Sequence, residues 1–266
     1  MTESSYVLRG GSAAAERLAV LAQVFGPTTS ALLDTVGIEP GSRCLDVGCG
    51  IGAVTRELGK RTGPGGQALG VDFDGGILEV AKELSAGSKP VRFERRSLEE
   101  LPAGAEYDVV YARFLLTHLK EPRAALERLA AVVRPGGTLV LEDVEFPHLI
   151  CYPPSEALHR TIQWYVEASR RMGGDPQIGP KLFTWMRELG LGTRARHVQP
   201  LLVQGPEKRL HVPTLEHIRE NVQKLGIATA REIAEVAEAL HIFTENPGTL
   251  VSTPRIFQVW GRVPEE

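Results

Sequence analysis

From Arg43 onward, short runs of β-type apolar residues alternate with stretches of helical period. The runs are Arg43 to Gly48, Gln67 to Asp72, Val91 to Arg96, Tyr107 to Ala112 and Thr138 to Glu142. Strand and helix in alternation predict a parallel sheet with right-handed crossovers. The helix before the last run is the clearest. Pro122 suits a first helical position, Ala125, Leu126, Leu129 and Val133 line one face, and Arg134-Pro135-Gly136-Gly137 ends it in a turn. Two later β-type runs, His197 to Val203 and Ile256 to Val263, complete a seven-stranded, mostly parallel α/β sheet with helices on both faces.

Other helical patterns lie outside that alternation. Ala13 to Phe25 and Thr29 to Val36 predict two amphipathic helices before the first strand, with Leu18, Leu21 and Phe25 on one face of the first. Pro154 to Met172 and Pro180 to Leu189 lie between the fifth and sixth strands, and Thr214 to Leu225 and Thr229 to Phe243 between the sixth and seventh. Thr229-Ala230-Arg231-Glu232 has capping-box spacing. In an open α/β sheet ligands bind at the C-terminal edge of the strands, which all these additions can reach, so they are expected to form a helical lid. The resulting division is a single domain over 1–266. Its parts are an N-terminal cover (1–36), a core (37–145), helical additions (146–190 and 211–252) and the last strands (191–210 and 253–266).

Composition narrows the partners. The 266 residues carry 30 basic and 33 acidic side chains, a formal charge of −3, with no basic stripe to displace counterions from a nucleic acid. Cys44, Cys49 and Cys151 lack the paired spacing of a zinc site or disulfide framework, and His197, His211, His217 and His241 lack helical i, i+4 pairing, so no metal is expected. Met1 to Gly11 shows no basic flank followed by an apolar stretch, and no apolar run approaches the ~20 residues that span a bilayer. The expectation is a cytoplasmic protein with a small-molecule partner, neither nucleic acid nor membrane.

The chemistry concentrates where the first strand ends, at Leu45-Asp46-Val47-Gly48-Cys49-Gly50-Ile51-Gly52. Glycines between a buried strand and a helix let a ligand approach the backbone. About 20 residues further on, Asp72 ends the second strand, where a carboxylate can accept both hydroxyls of an adenosine ribose. The glycines leave the nucleoside open, because Gly48, Gly50 and Ala53 also satisfy the dinucleotide fingerprint G-x-G-x-x-A. Asp46 weighs against a pyrophosphate there and suits an ammonium group.

Several blocks in order, from Gly37 to Asp143, resemble the class I S-adenosylmethionine-dependent methyltransferases, particularly their bacterial small-molecule branch. These are Leu45 to Gly52, Gly70-Val71-Asp72-Phe73, Ser97-Leu98-Glu99-Glu100-Leu101-Pro102, Tyr107-Asp108-Val109-Val110, His118-Leu119 and Arg134-Pro135-Gly136-Gly137. The resemblance implies a Rossmann-like fold and S-adenosyl-L-methionine as cofactor. It further implies that the Gly48 to Gly50 turn packs on the methionine part, Asp72 holds the ribose, Phe73 borders the adenine, Ser97 and Leu98 meet its edge and face, and Arg113 lies beside the methionyl end. Ser97 stands where the family usually has an acidic residue. Tyr6-Val7-Leu8-Arg9-Gly10-Gly11 looks like a segment that closes over the cofactor in relatives, with Tyr6 as a contact.

The expected activity is methyl transfer to a small organic acceptor. The alternatives are an NAD-dependent oxidoreductase and a module that binds S-adenosylmethionine without turnover. If the acceptor must lose a proton, His118 and Asp143 are the expected catalytic residues, with Glu142 and Glu145 as further carboxylates on the same edge. Tyr152, Trp164 and Tyr165 are expected to wall the reaction from water. Cys49 reads as packing rather than a nucleophile.

Overall fold

Successive side chains of a strand point to opposite sides of its sheet, and these strands are apolar in both directions, so the sheet requires cover on both faces. The computed structural model, which describes residues 15–102, 104 and 106–265, provides it. The first half runs α1 (Ala15–Val36), β1 (Arg43–Val47), α2 (Ala53–Thr62), β2 (Gln67–Asp72), α3 (Gly75–Leu84), β3 (Val91–Arg95), β4 (Tyr107–Arg113), α4 (Pro122–Ala131) and β5 (Val133–Glu145). The second runs β6 (Cys151–Tyr152), α5 (Glu156–Arg171), α6 (Gly179–Glu188), β7 (Gly192–Val198), β8 (Leu201–Leu202), α7 (His211–Lys224), α8 (Ala230–Glu245), β9 (Leu250–Ser252) and β10 (Arg255–Arg262). A seven-stranded sheet has the order β3-β2-β1-β4-β5-β10-β7, and a small sheet the order β6-β9-β8. β1 to β5 pair in parallel, whereas β10 runs antiparallel to both its neighbours.

The alternation is visible in the core. Cys44, Val109, Tyr111 and Val140 face Leu32 and Leu33 of α1 and Val54 and Leu58 of α2. Leu45, Val47, Val110, Leu139 and Leu141 face the other way, onto Leu126 and Leu129 of α4 and Leu182 and Met186 of α6. A third cluster joins α5, α7 and α8 through Leu158, Ile162, Leu215, Ile218, Ile233, Val236 and Leu240. That cluster lies over the C-terminal ends of the strands, reaching Val144 near the end of β5 and Phe146 just past it.

Four expectations change. The N-terminal helices are one, α1, with Pro27 inside it. Proline's fixed φ suits a helix and removes one backbone donor, and Thr28 Oγ1 donates to the Phe25 carbonyl (3.0 Å) at that point. Arg134 to Gly137 do not end a turn ahead of the fifth strand but lie within β5 as an irregularity, the register passing from Tyr107↔Val133 to Val109↔Thr138. The sixth strand is Gly192–Val198, not His197 to Val203: Leu201–Leu202 belongs to the small sheet. As a half-exposed edge strand β7 carries Thr193, Arg194 and Arg196 and gives no apolar alternation to read. Finally, α6 is no lid, because Leu182 and Met186 are fully buried in the sheet's core.

Candidate active site

The β1–α2 turn rises from a buried strand. Gly48 N and Cys49 N both donate to the Val71 carbonyl (2.8 and 3.1 Å), which fastens the turn to β2. Gly50 adopts φ 52° and Gly52 φ 71°, but the two serve different ends. A Cβ on Gly52 would lie 2.4 Å from the Phe93 ring, so this glycine permits α2 to pack. A Cβ on Gly50 would point to Leu18 of α1, 3.3 Å away, across the mouth of a cavity of about 200 Å³ that Gly48 and Gly50 both line.

Asp72, half-buried at the end of β2, lines the same cavity. Its Oδ2 accepts from Gly50 N (2.9 Å) and its Oδ1 from Asp74 N (3.0 Å), leaving a lone pair on each oxygen for a ligand hydroxyl. Burial raises its pKa, and those N–H bonds oppose the rise. Asp46 is buried, accepts from Thr55 Oγ1 (2.6 Å) and is pushed up to about 6 by burial, with the Thr55 bond and Arg113 pulling back. Phe73, Ser97 and Leu98 complete this end. Ser97 N donates to the Glu100 carboxylate (2.7 Å), so the short turn at Leu98–Glu100 begins with its backbone held. Cys49 is inert: burial, with Asp46 and Asp72 beside it, pushes its thiol well above the usual range.

Beyond the end of β4 the cavity changes character. Leu21 and Phe25 of α1, Phe114, Val144, Phe146, Tyr165, Leu210 and Ile256 form an apolar chamber continuous with the glycine turn. Phe146 and Tyr165 stack (centroids 4.0 Å apart, 21° between planes), and Phe25 meets Phe114 edge-on at 5.3 Å. Phe114 has φ 54°, a left-handed conformation that costs an L-residue about 1–2 kcal/mol. Its N–H donates to the Glu142 carbonyl (2.9 Å), which holds the chain in this bend and swings the ring against the chamber.

The expected catalytic pair separates. His118 lines the cavity, buried in a short turn (Leu116–His118), and burial, with Arg17 nearby, pushes its pKa down to about 3. Such an imidazole stays neutral and is a weak proton acceptor. Asp143 is not brought to the cavity. Its buried carboxylate accepts from Thr117 N (3.2 Å) and Val144 N (2.9 Å), so it braces the Leu116–His118 turn against β5, and burial pushes its pKa up to about 7. Glu142 is consumed as well: Tyr111 OH, Thr29 Oγ1 (2.7 Å) and Gln258 Nε2 (2.8 Å) all donate to it. Glu145 pairs with Arg255 (3.2 Å) and His148. Of the expected aromatic wall, Tyr165 lines the chamber, Trp164 is buried without reaching it, and Tyr152 is 68% exposed.

Arg113 lines the cavity and donates to Thr29 Oγ1 (3.1 Å). Tyr6 lies outside the described residues. Sequence reasoning passed over Arg17, Phe114, Phe146 and His211 as cavity residues. The helical spacing that joins Leu21 and Phe25 also includes Arg17, at i, i+4 and i+8, and was the one signal available. Among the described residues no group of three or more His, Cys, Asp or Glu side chains could hold a metal. None of the described helices is long and apolar enough to cross a membrane.

A strand order with one antiparallel member beside β5, a glycine turn after β1 and an acid ending β2 are features this chain shares with the class I S-adenosylmethionine-dependent methyltransferases. Residues 45–141 match the family described as Methyltransferase domain. The chain is 33% identical over 129 residues to the demethylmenaquinone methyltransferase of Staphylococcus aureus, a match covering 48% of this chain and 54% of that protein. It thus spans about half the length of the curated relatives it matches. Two solved structures share the fold. YcgJ from Bacillus subtilis has a TM-score of 0.58 and 17% identity, over 90% of this chain and 100% of that one. Haemonchus contortus phosphoethanolamine N-methyltransferase 2, solved with phosphomonomethylethanolamine and S-adenosylhomocysteine, has 0.59 and 17%, over 93% of this chain and 56% of that one.

Proposed function

We propose that this protein transfers the methyl group of S-adenosylmethionine to a small acceptor with a flat apolar body. The observation that carries the reading is the single cavity in which a glycine turn and a ribose-competent carboxylate open directly into an aromatic chamber. The residues fit the cofactor. Asp72 keeps lone pairs for ribose hydroxyls, Phe73 and Leu98 offer apolar faces for a base, Ser97 stands at its edge, and the Gly48 to Gly50 backbone with Asp46 and Arg113 borders the amino-acid end. The bound sulfonium supplies a methyl already activated by positive charge, which leaves the protein alignment and exclusion of water as its tasks.

The chamber residues do both. Phe114, Phe146 and Tyr165 present ring faces and edges that orient a flat acceptor and leave little room for water. His118, neutral in its buried turn, serves as a hydrogen-bonding partner for the acceptor rather than a strong base. An acceptor resembling demethylmenaquinone, the substrate named for the Staphylococcus relative, suits these walls better than the phosphoamine named for the Haemonchus enzyme. An oxidoreductase reading fares worse, because antiparallel β10 follows β5 in the sheet where a dinucleotide fold would continue its parallel second half. The cysteines are free, in keeping with a cytoplasmic setting.

The test is calorimetry followed by an acceptor screen with methyl-labelled S-adenosylmethionine. S-Adenosylhomocysteine should bind and NAD should not, and label should pass to flat apolar acceptors. Tight NAD binding without response to either sulfur compound would overturn the reading. Binding of the cofactor with no transfer across a broad acceptor set would favour a module without turnover.

A further inference from the structure

Arg17 is an anomaly in this cavity. It is 7% exposed, and it lines the cavity from the face of α1 that also presents Leu21 and Phe25. No hydrogen bond or ion pair joins its guanidinium to another described residue, and its Nε is buried without a partner. The other basic side chains of the cavity are engaged. Arg113 donates to Thr29, and Arg96 pairs with Glu94 at 2.7 Å. A buried guanidinium without a counter-charge is strongly unfavourable, and Arg cannot escape by losing its proton. Its charge is felt at His118, which it helps to keep neutral.

The carboxylates of the cavity do not answer it. Asp46 is held by Thr55, Asp72 by two backbone N–H groups, Asp74 accepts from Gly76 N (2.9 Å) and Ile77 N (3.3 Å) at the start of α3, and Glu99 accepts from its own N–H and from Ser97. Among the described residues, the aromatic chamber lined by Phe114, Phe146 and Tyr165 contributes no acidic side chain. A planar fork of donors lining a largely apolar cavity matches the geometry of a carboxylate.

We propose that Arg17 is an anion anchor that receives the carboxylate of a ligand bound in this cavity. The proposal rests on the methyltransferase reading for its choice of ligands. The carboxylate comes either from the amino-acid end of the cofactor or from the acceptor.

Two matched pairs of probes separate the sources. The first is S-adenosylhomocysteine against its decarboxylated analogue, which keeps the ammonium group. The second, with S-adenosylhomocysteine present, is 2-naphthoate against 2-naphthamide. The wild-type protein should prefer the carboxylate by about 10- to 100-fold in one pair. Arg17→Met should erase that preference, and Arg17→Lys should restore part of it. Loss in the first pair assigns the cofactor's carboxylate, and loss in the second the acceptor's. Without ligand, Arg17→Met should melt no lower than the wild type, because it removes an uncompensated buried charge. A wild-type preference in neither pair, a preference that survives Arg17→Met, or a clearly lower ligand-free melting temperature for that variant overturns the proposal. If S-adenosylhomocysteine itself fails to bind the wild type, the cofactor assignment is at fault, and the naphthoate pair on the ligand-free protein still decides the role of Arg17.

Discussion

At the glycine turn, most lining groups come from the ends of β1 and β2 and the turns that follow them, fixed by strand ends and backbone hydrogen bonds. At the aromatic end, α1, the segment after β5, α5, the start of α7 and the start of β10 each contribute one or a few side chains. One end is a product of local geometry, the other of long-range packing. A site built on backbone tolerates few changes in shape, whereas walls made of side chains from separate additions can be refitted without disturbing the sheet.

The sharpest way to break this contrast is at Gly52. Gly52→Ala combines a positive φ with a Cβ placed 2.4 Å from the Phe93 ring, and thermal or denaturant unfolding should show a loss of about 2–4 kcal/mol. A neutral result would mean that the turn is not rigidly built. Next comes Asp72→Ala, which should weaken S-adenosylhomocysteine binding about 10- to 100-fold by calorimetry. Unchanged affinity would remove the ribose role. At the aromatic end, Phe146→Leu should lower kcat/KM for an identified acceptor by about fivefold, in line with the ~1 kcal/mol of an aromatic pair, while cofactor affinity stays within about twofold. Equal losses at both ends would erase the distinction.

The smallest expected effect is a pH dependence. His118 and His211 are held down to about 3 and about 4, chiefly by burial. Their folded forms bind fewer protons than an ordinary histidine. The stability they contribute is therefore full above pH ~6.5 and is lost as pH falls through the window toward 4 and 3. Asp143 and Asp46, raised to about 7 and about 6, act in the opposite sense, gaining protons in the folded state as pH falls. Urea titrations from pH 7 to 4.5 should show a shallower loss of stability for His211→Asn than for the wild type. Parallel curves would mean that His211 is not buried neutral.

The same contrast explains what could be read in advance. The turn from Gly48 to Gly52, Asp72 and the strands β1 to β4 announce themselves through neighbours in sequence: period, glycine spacing and an acid at a fixed distance. Phe114 and Phe146 follow strand ends with no local mark of their role, and His211 opens a helix that reaches the cavity only because α7 packs on α5. Asp143 sits at the expected sheet edge, yet alternation along β5 turns its carboxylate to backbone donors beneath the cavity. The limits of β7 are not legible because an exposed edge strand carries too few apolar residues to mark them.

Helix α1 has a consequence for the order of events in a catalytic cycle. Its C-terminal part is tied down where Thr29 meets Glu142, while Leu18 and Phe25, on the other side of Pro27, cover the glycine turn and the aromatic chamber respectively. Among the described residues, one element therefore borders both compartments. For the proposed methyl transfer, lifting the first turns of α1 would give spent cofactor and product solvent together, so that discharge and reloading would share one opening event. Stiffening the Gly26–Pro27 junction would then slow turnover without touching any group that contacts a ligand.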